Sequence, residues 1–418
     1  NNVSFLFGTG SSLCLVDESI SIREIPKQIE EKLKSTEKLY KIFIELIKEF
    51  QKNFITKDHL SKNHNDFKID SNEANNEKGI YRKCDKDNKN WYNIFAPLED
   101  FINFLLGIEY VTNYTSTIKF DNVEVNNSNI TALIKELKQG LFEICDLKYD
   151  SNKLMFHKKF VKALLGRPLS LRRANIFTIN YDLAFENAFD ELSVHYINGF
   201  CGFNNRYFRP EVFDFDMYYP GNTTEGKVRR IEKVIKYFKI HGSLTWVKEK
   251  INPNNIFGLR EYPIDFIREK YKQPDGSLNA GDMMIYPTSN KKSFTLDFPY
   301  SELFRHFAAT ITQPQSVLFC VGYSFFDEHI NDIIYQALSI PSFSLIIVDY
   351  KGTANENIEK LKKLNDPRIM ILEGEFLGDF KIFADEIMPN FHDLNIEEKI
   401  ANTLKNLYPE EKRGENVV

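Results

Sequence analysis

The chain has 418 residues, of which 42% are hydrophobic and 27% charged, and its net charge is −5. This composition is that of a folded globular protein and excludes a mainly disordered chain, because the apolar surface is sufficient to offset chain entropy. The weak negative charge excludes global attraction to nucleic acid or to anionic lipid. We expect no direct membrane contact, and contact with nucleic acid only through a partner or a local basic patch.

The five cysteines are dispersed along the chain, and no Cys-x-x-Cys pair occurs. This excludes a zinc ribbon, and we predict no metal. An odd, scattered set of thiols indicates a reducing compartment, and the first residues resemble a strand rather than a secretory signal. We therefore predict a cytoplasmic protein.

The first predicted strand, Val3–Phe7, is a short run of β-branched and aromatic residues that ends in the glycine turn Gly8–Ser12. A buried strand that runs into a glycine turn is typical of the opening of an α/β sheet.

A mostly helical insertion is predicted over residues 21–165. Apolar residues recur at helical spacing from about 24 to 54, and again over 98–110 and 131–147. Residues 56–90 are rich in Lys, Asn and Asp, which predicts a mobile surface excursion.

The later part of the chain alternates short apolar runs with helical patterns. Helices are predicted at Leu183–Leu192 and Glu328–Leu338. The predicted strands are Asn175–Ile179, Val194–Ile197, Tyr237–Ile240, Ser316–Val321, Ser344–Val348 and Arg368–Leu372. This alternation predicts βαβ units and a Rossmann-like, doubly wound parallel sheet of the α/β class. We assign this sheet domain to residues 1–20 and 166–378, and C-terminal helices with a polar tail to 379–418.

Residues 200–300 have a loop-like pattern with seven crowded aromatic residues: Phe203, Tyr207, Phe208, Phe213, Phe215, Tyr218 and Tyr219. They indicate either a hydrophobic loop packed over the sheet or, alternatively, a lid or an oligomer contact.

Small and polar residues follow five of the predicted strands. The five strand ends are Gly8–Ser12, Asn180–Asp182, His241–Ser243, Gly322–Ser324 and Asp349. Ligands of doubly wound sheets bind beyond the carboxyl ends of the strands, so the five ends together predict one polar crevice.

Each of these residues also has a purely structural interpretation. Gly8 and Gly10 let backbone N–H groups approach a pyrophosphate, or they simply form a turn. Asp349 accepts hydrogen bonds from ribose hydroxyls, or it forms a turn. Asn180 orients a sugar or a water, or bonds to its own backbone. His241 accepts a proton near neutral pH, or is structural.

One further histidine, His329, has a comparable setting, because it lies in a polar segment that opens a predicted helix. Asp327 in this segment is either a functional group or the N-cap of the helix.

Taken in order, these motifs resemble the sirtuin superfamily, and more closely the sirtuin-like domain of bacterial anti-phage defence proteins. The matching segments span residues 3–12 and about 175–350. The matches are Gly8–Ser12 to the Gly-Ala-Gly-x-Ser turn, Thr178–Asp182 to Thr-x-Asn-x-Asp, His241–Gly242 to His-Gly with Ser243–Trp246 after it, Gly322–Ser324 to Gly-x-Ser, and Phe325–Asn331 to an extension typical of the defence branch.

The resemblance implies that NAD is the substrate, and that its nicotinamide–ribose bond is cleaved to nicotinamide and ADP-ribose. Asn180 would position the ribose and a water, and His241 would be the general base. Asp182 would support the Asn180 loop. The residues that it implies for holding the dinucleotide are Gly8, Thr9, Gly10, Ser11, Ser12, Asp182, Gly322, Ser324 and Asp349. We expect Asn180 and His241 to lie together, and not in separate pockets or in an apolar core.

Two departures from protein-deacylating sirtuins argue against an acyl-lysine tunnel. The four-cysteine ribbon is absent, and Asp17–Ser21 stands where those enzymes carry Pro-Asp-Phe-Arg.

The resemblance further implies NAD depletion in anti-phage defence (abortive infection), by a homo-oligomeric subunit that assembles with a HerA-type hexameric ATPase. Alternative functions stay open: an NAD or ADP-ribose sensor without turnover, a protein deacylase or ADP-ribosyltransferase, and DNA cleavage. DNA cleavage is the least favoured of these, because the sequence around the motifs has no acidic cluster that would bind a metal.

Overall fold

The computed structural model describes residues 2–15, 33–34, 36–57, 82–84, 91–93, 98–220, 229–271 and 298–389. Most of the predicted surface excursion at 56–90, the first part of the predicted insertion and the C-terminal tail lie outside the described residues.

The described strands are β1 Asn2–Phe7, β2 Arg82–Cys84, β3 Trp91–Asn93, β4 Ile118–Phe120, β5 Val123–Val125, β6 Asn175–Thr178, β7 His195–Ile197, β8 Phe200–Cys201, β9 Arg206–Phe208, β10 Val234–Lys239, β11 Trp246–Lys248, β12 Leu259–Glu261, β13 Ser316–Val321, β14 Ser344–Asp349 and β15 Ile369–Glu373. The described helices are α1 Glu37–Lys57, α2 Leu98–Thr112, α3 Asn127–Cys145, α4 Met155–Leu165, α5 Ala184–Glu191, α6 Ile264–Tyr271, α7 Tyr300–Ile311, α8 Glu328–Leu338, α9 Glu356–Lys363, α10 Gly374–Leu377 and α11 Phe380–Ile382, with a π-helical turn at Phe383–Ile387.

The centre of the fold is a seven-stranded parallel sheet in the order β15-β14-β13-β1-β6-β10-β7. From β1, later strands are added as β6 and β10 on one side, with β7 at the edge although it precedes β10 in the chain, and as β13, β14 and β15 on the other. The direction of the strand order thus reverses at β1. The reversal between β1 and β13 is the place where doubly wound sheets bind ligands. The predicted Rossmann-like α/β class is confirmed.

Helices cover both faces of this sheet, because alternate residues of each strand point to opposite faces. In β1, Leu6 joins a core that includes Phe177, Phe238 and Phe307. Its neighbour Phe7 packs on the other face against Phe160 of α4. Burial on both faces explains the continuous apolar runs in the sequence.

The helices between β1 and β6 build a second core. α1, α2 and α3 bring their apolar faces together around buried residues such as Phe43, Leu105 and Leu137. Leu244 and Val247, which follow β10 in the chain, also belong to this cluster. A large helical insertion after the first strand is therefore present; its predicted limits, 21 and 165, stay a prediction.

The structure differs from the prediction between residues 200 and 261. In place of loops, it has a four-stranded antiparallel sheet in the order β11-β12-β9-β8. Its strands have two or three residues each, which is too short for alternation to be visible in the sequence.

Six of the seven aromatic residues of this region divide into two groups, and the seventh, Tyr207, is half-buried. Phe208 and Phe213 are buried, and Phe213 stacks on Phe238 of the main sheet at 4.3 Å. The exposed members are Phe203, Phe215, Tyr218 and Tyr219. The first group packs over the sheet, whereas for the second a lid or an oligomer contact stays a prediction.

Among the described helices, none combines the length and the apolar character that crossing a bilayer would require.

Candidate functional site

The five polar strand ends lie side by side at the carboxyl edge of the sheet. The strands that carry them are five consecutive members of the order, β14-β13-β1-β6-β10. Phe7 of β1 pairs with Val321 and with Thr178, so Gly8 and Gly322 are each one residue beyond a paired position. Asp349 ends β14, next to β13. The strand order thus assembles the predicted polar edge.

Asn180 and His241 lie at the same level on neighbouring strands. Thr178 of β6 pairs with Lys239 of β10, and each candidate residue lies two positions further on. The ladder continues past this pair, since the N–H of Ile240 donates to the carbonyl of Thr178 at 2.9 Å. Asn180 and His241 are therefore adjacent strand ends.

Glycine residues let the loop after β1 and the loop after β13 approach each other with their backbones in contact. A Cβ on Gly8 would lie 2.4 Å from the Gly322 carbonyl oxygen, and one on Gly322 would lie 2.6 Å from the Gly10 Cα. Gly322 also has a φ of +61°, a conformation that favours glycine. The three glycines are thus required by the close approach of the loops.

Most of the backbone N–H groups of the glycine turn are engaged within the protein. Those of Gly8 and Gly10 donate to the carbonyls of Val321 and Gly322, at 3.0 and 3.1 Å. Those of Ser11 and Ser12 donate back to the turn itself. Direct phosphate contact by these N–H groups is therefore not a feature of this conformation, and the phosphate role of the turn stays a prediction.

The amide of Asn180 holds the glycine turn in place. Its Nδ2 donates to the Gly8 carbonyl at 3.0 Å, to Ser11 Oγ at 3.2 Å and to Ser12 Oγ at 2.9 Å. Its Oδ1 is buried and accepts no hydrogen bond from the described residues. An unpaired buried carbonyl is unfavourable, so Oδ1 is a ready acceptor for a ligand hydroxyl or a water.

Asp182 supports this arrangement from the next turn of the chain. One of its oxygens accepts from Ser12 Oγ at 2.7 Å. The other caps α5 by accepting from the Ala184 N–H at 3.0 Å. Both oxygens are thus used inside the protein, as expected for a residue that supports the Asn180 loop.

A buried ion pair lies directly beneath the loop. Lys239 of β10 pairs with Glu186 of α5 at 2.9 Å and also donates to the carbonyls of Tyr181 and Asp182. Burial raises the pKa of Glu186, whereas the Lys239 charge acts in the opposite direction. Lys239 therefore fixes the backbone that presents Asn180.

His241 is buried and pairs with a second histidine. Its Nε2 lies 3.3 Å from Nε2 of His329, the second residue of α8. Phe304 of α7 packs against both rings. Because one nitrogen must donate and the other accept, the pair is compatible with one shared proton.

The loop that presents His329 is anchored by Tyr323 and Asn331. The Tyr323 hydroxyl donates to Asn331 Oδ1 at 2.8 Å, and Asn331 Nδ2 donates to the Phe325 carbonyl at 2.8 Å. Asp327 is the N-cap residue of α8, as one of the two interpretations predicts, although its side chain makes no capping hydrogen bond.

Asp349 ends β14, and Ser324 lies in the loop after β13 at the same edge of the sheet. Asp349 Oδ1 accepts from the N–H groups of Lys351 and Gly352, at 3.0 and 2.8 Å. This is the turn-forming role, and it leaves the second oxygen without a hydrogen bond to any described residue. Burial raises the pKa of this carboxyl group. The Ser324 carbonyl accepts from Asn355 Nδ2 at 2.7 Å.

Two residues of this site were not among the predicted site residues. Lys239 is a fully buried cation at the end of a mostly apolar strand, and such a residue indicates a buried partner. His329 was noted for its setting, but its pairing with His241, 88 positions away, is a tertiary contact.

Within the described part of the chain, no group of three or more His, Cys, Asp or Glu side chains is placed to hold a metal ion.

Comparison with known families gives one match. A SIR2-like domain is found at residues 174–369. This range begins just before β6 and ends as β15 begins, so it contains Asn180, His241, Gly322 and Asp349, while the glycine turn after β1 lies outside it. No curated protein matches the chain. The domain indicates NAD-dependent activity in general.

Proposed function

We propose that this protein hydrolyses NAD+ at the nicotinamide–ribose bond and releases nicotinamide and ADP-ribose. The observation that carries the proposal is the unpaired, buried Oδ1 of Asn180 next to the strand end of His241, at the carboxyl edge of a SIR2-like sheet. We further propose that the resulting loss of NAD serves anti-phage defence by abortive infection.

Cleavage of the nicotinamide–ribose bond depends on positioning of the substrate more than on acid catalysis. Nicotinamide leaves as a neutral base, and the ribose passes through an oxocarbenium-like state, as in glycoside hydrolysis. A protein accelerates such a step by fixing the sugar and delivering a water to it. Asn180 Oδ1 accepts a hydrogen bond from that water or from a ribose hydroxyl, while Nδ2 keeps the amide oriented through the glycine turn.

His241 is the proposed general base. It takes a proton from the water or from a ribose hydroxyl as the bond to C1 forms. His329 is a positioning residue, because its contact with Nε2 of His241 decides which ring nitrogen carries the proton. When Nε2 of His241 donates to His329, its Nδ1 is the unprotonated nitrogen and takes the proton.

The rest of the dinucleotide is proposed to lie along the same edge. Thr9 is exposed and Ser12 is half-buried at the tip of the glycine turn, next to Ser324 on the neighbouring loop. The Thr9 and Ser324 hydroxyls suit the pyrophosphate, whereas the Ser12 hydroxyl already donates to Asp182 and would have to rotate away from it to contact a phosphate. The second oxygen of Asp349 suits the hydroxyls of the adenosine ribose.

Binding of NAD or ADP-ribose without turnover is a second candidate. It is favoured by the burial of His241, whose side chain is 4% exposed and already pairs with His329. A histidine held in this way can serve a purely structural role.

Nicotinamide release separates the two candidates. Purified protein is incubated with NAD+, and nicotinamide and ADP-ribose are quantified by chromatography, alone and together with a HerA-type ATPase. We expect equal amounts of the two products. Saturable NAD binding without release under either condition would favour the sensor.

Assembly is a separate proposal. The homo-oligomer and its pairing with a HerA-type hexameric ATPase rest on the resemblance of the motifs. Mass measurement of the protein in solution, alone and after co-expression with such an ATPase, is the test. A monomer that does not bind the ATPase would contradict both parts.

A further inference from the structure

The opposite, amino-terminal edge of the sheet contains a cavity of about 300 Å³. It lies where β6 and β10 begin, and Asn175, Lys236 and Phe238 contribute to its wall. Lys236 is in β10 and His241 lies two residues beyond the end of that strand, so the two are five residues and at most about 16 Å apart along the chain. The cavity is thus distinct from the proposed NAD site.

The cavity wall carries an excess of positive charge. Five cationic side chains and two carboxylates line it, which leaves three positive charges when His306 is neutral. One of the cations, Arg305, is paired with Glu302 at 2.7 Å. Two positive charges therefore stay uncompensated by nearby carboxylates.

Two of the cations have structural partners. Arg173 and Arg230 share one carboxylate, Asp216, with Nε–oxygen distances of 2.9 Å each. Their other donors reach main-chain carbonyls, such as that of Leu171 at 2.7 Å from Arg230. This triad fastens the loop before β6 to the segment before β10.

The other two cations, Arg172 and Lys236, hydrogen-bond only neutral acceptors among the described residues. Arg172 donates to the side-chain carbonyl of Gln313, and Lys236 donates to the main-chain carbonyl of Phe213. Burial lowers the pKa of Lys236, and Arg230 and Arg173 act in the same direction, against Asp214 and Asp216. A bound anion would offset the cost of burying this ammonium group.

We propose that this cavity binds a small molecule through a doubly charged phosphate group. Two uncompensated cations match a dianion, whereas a carboxylate would neutralise only one of them. Arginine forks match the oxygens of phosphate, and a cavity of this volume is in the range of small-molecule sites. The phosphate group could belong to an inorganic ion or to a nucleotide.

The test is calorimetric titration of inorganic pyrophosphate, and separately of ADP, into the full-length protein in chloride buffer. We expect a saturable site, with affinity weakened about tenfold or more in Lys236→Gln and in Arg172→Gln, since each removes one of the two charges. Lys135→Gln, an exposed lysine of α3, is the control and should bind like the wild type. Comparing pyrophosphate with ADP tells whether a nucleoside adds to binding.

Pyrophosphate can also bind at the proposed NAD site, so Ser12→Ala is titrated in parallel. If Ser12→Ala loses binding while both amino-edge variants keep it, or if no saturable binding occurs, the proposal is overturned. Arg172 is exposed on a loop, so its variant is informative even if Lys236→Gln unfolds. None of these outcomes depends on whether the protein hydrolyses NAD.

Discussion

The two edges of the parallel sheet differ in how their polar groups are balanced, although the same strands connect them. At the carboxyl edge, Ser12 joins Asn180 to Asp182 through hydrogen bonds, and the buried Lys239 is paired with Glu186. At the amino edge, cations exceed carboxylates, and two of them, Arg172 and Lys236, hydrogen-bond only neutral acceptors among the described residues. The first edge is built for fixed geometry, and the second has charge available for a ligand.

Two lysines of β10 show this difference on a single strand. Lys239 is buried and paired with Glu186, whereas Lys236 contacts a main-chain carbonyl amid other cations. Their positions in the same strand make them matched probes of the two edges.

The largest expected effect is loss of NAD hydrolysis on substitution of carboxyl-edge residues, with no loss on substitution at the amino edge. His241→Ala should lower nicotinamide release by about 10²–10⁴-fold, the usual contribution of a general base. Asn180→Ala should also abolish it, because the acceptor Oδ1 is removed. His306→Ala, at the amino edge, should keep wild-type turnover.

Since Asn180→Ala also removes three hydrogen bonds to the glycine turn, thermal denaturation of each variant is measured alongside. Turnover like that of the wild type in both the His241 and the Asn180 variants would end the site assignment.

The next effect is on stability. Lys239→Met should lower the free energy of unfolding by about 3–5 kcal/mol, because Glu186 stays buried without its partner. Lys236→Met should lower it by less than about 1 kcal/mol, since a single hydrogen bond to a carbonyl is lost and the cost of burying the charge is removed. Urea denaturation measures both.

A double variant, Lys239→Met with Glu186→Gln, should recover part of the loss, because no unpaired charge stays buried. Equal effects of the two lysine substitutions would show that the edges do not differ in charge balance.

A third prediction concerns acid stability. His157 of α4 is fully buried against Phe185 and Phe380, and burial lowers its pKa from 6.5 to about 4. The folded state therefore favours the neutral ring. The contribution of the neutral ring to the free energy of unfolding is therefore fully present above pH 6.5. It falls by about 3 kcal/mol as the pH is lowered from 6.5 towards 4.

His157→Phe should remove this part of the pH dependence, as measured by unfolding at a series of pH values. His306 is the comparison at the amino edge: burial lowers its pKa too, but the residue is half-buried, so its substitution should change the pH dependence less. An unchanged pH profile in His157→Phe would contradict the prediction.

The smallest expected effect concerns the histidine pair. His329→Gln should lower kcat about tenfold with little change in KM, since the base is misoriented while the dinucleotide contacts persist. The pH profile of nicotinamide release should shift, because His241 no longer shares a proton. Unchanged kcat and an unchanged profile would mean that His329 only packs against Phe304.

Much of the sheet could be predicted because its strands are continuous apolar runs. The strand at Ser316–Val321 and the helix at Glu328–Leu338 have the predicted bounds. The antiparallel sheet of β8, β9, β11 and β12 was missed, because two or three residues carry no measurable period. Its strands are held by cross-strand pairs such as Trp246 with Glu261, which no local pattern predicts.

The candidate residues were predicted as strand ends, but their partners were not. A polar residue directly after an apolar run is visible locally, so Asn180, His241 and Asp349 could be named. That Asn180 holds the turn of Gly8, or that Asp349 uses one oxygen in its own turn, depends on atomic positions. The amino-edge cations escaped prediction because they come from separate parts of the chain, two loops, the strand β10 and the helix α7, and none directly follows a strand.

The sequence by itself determined the parallel α/β class and the polar character of the strand ends, because both depend on residues that are neighbours in the chain. Only the tertiary structure decided the strand order that brings Gly8 against Gly322, the contact between His241 and His329, and the excess of charge around Lys236. These features depend on packing and on the register between distant segments, which local preferences do not specify.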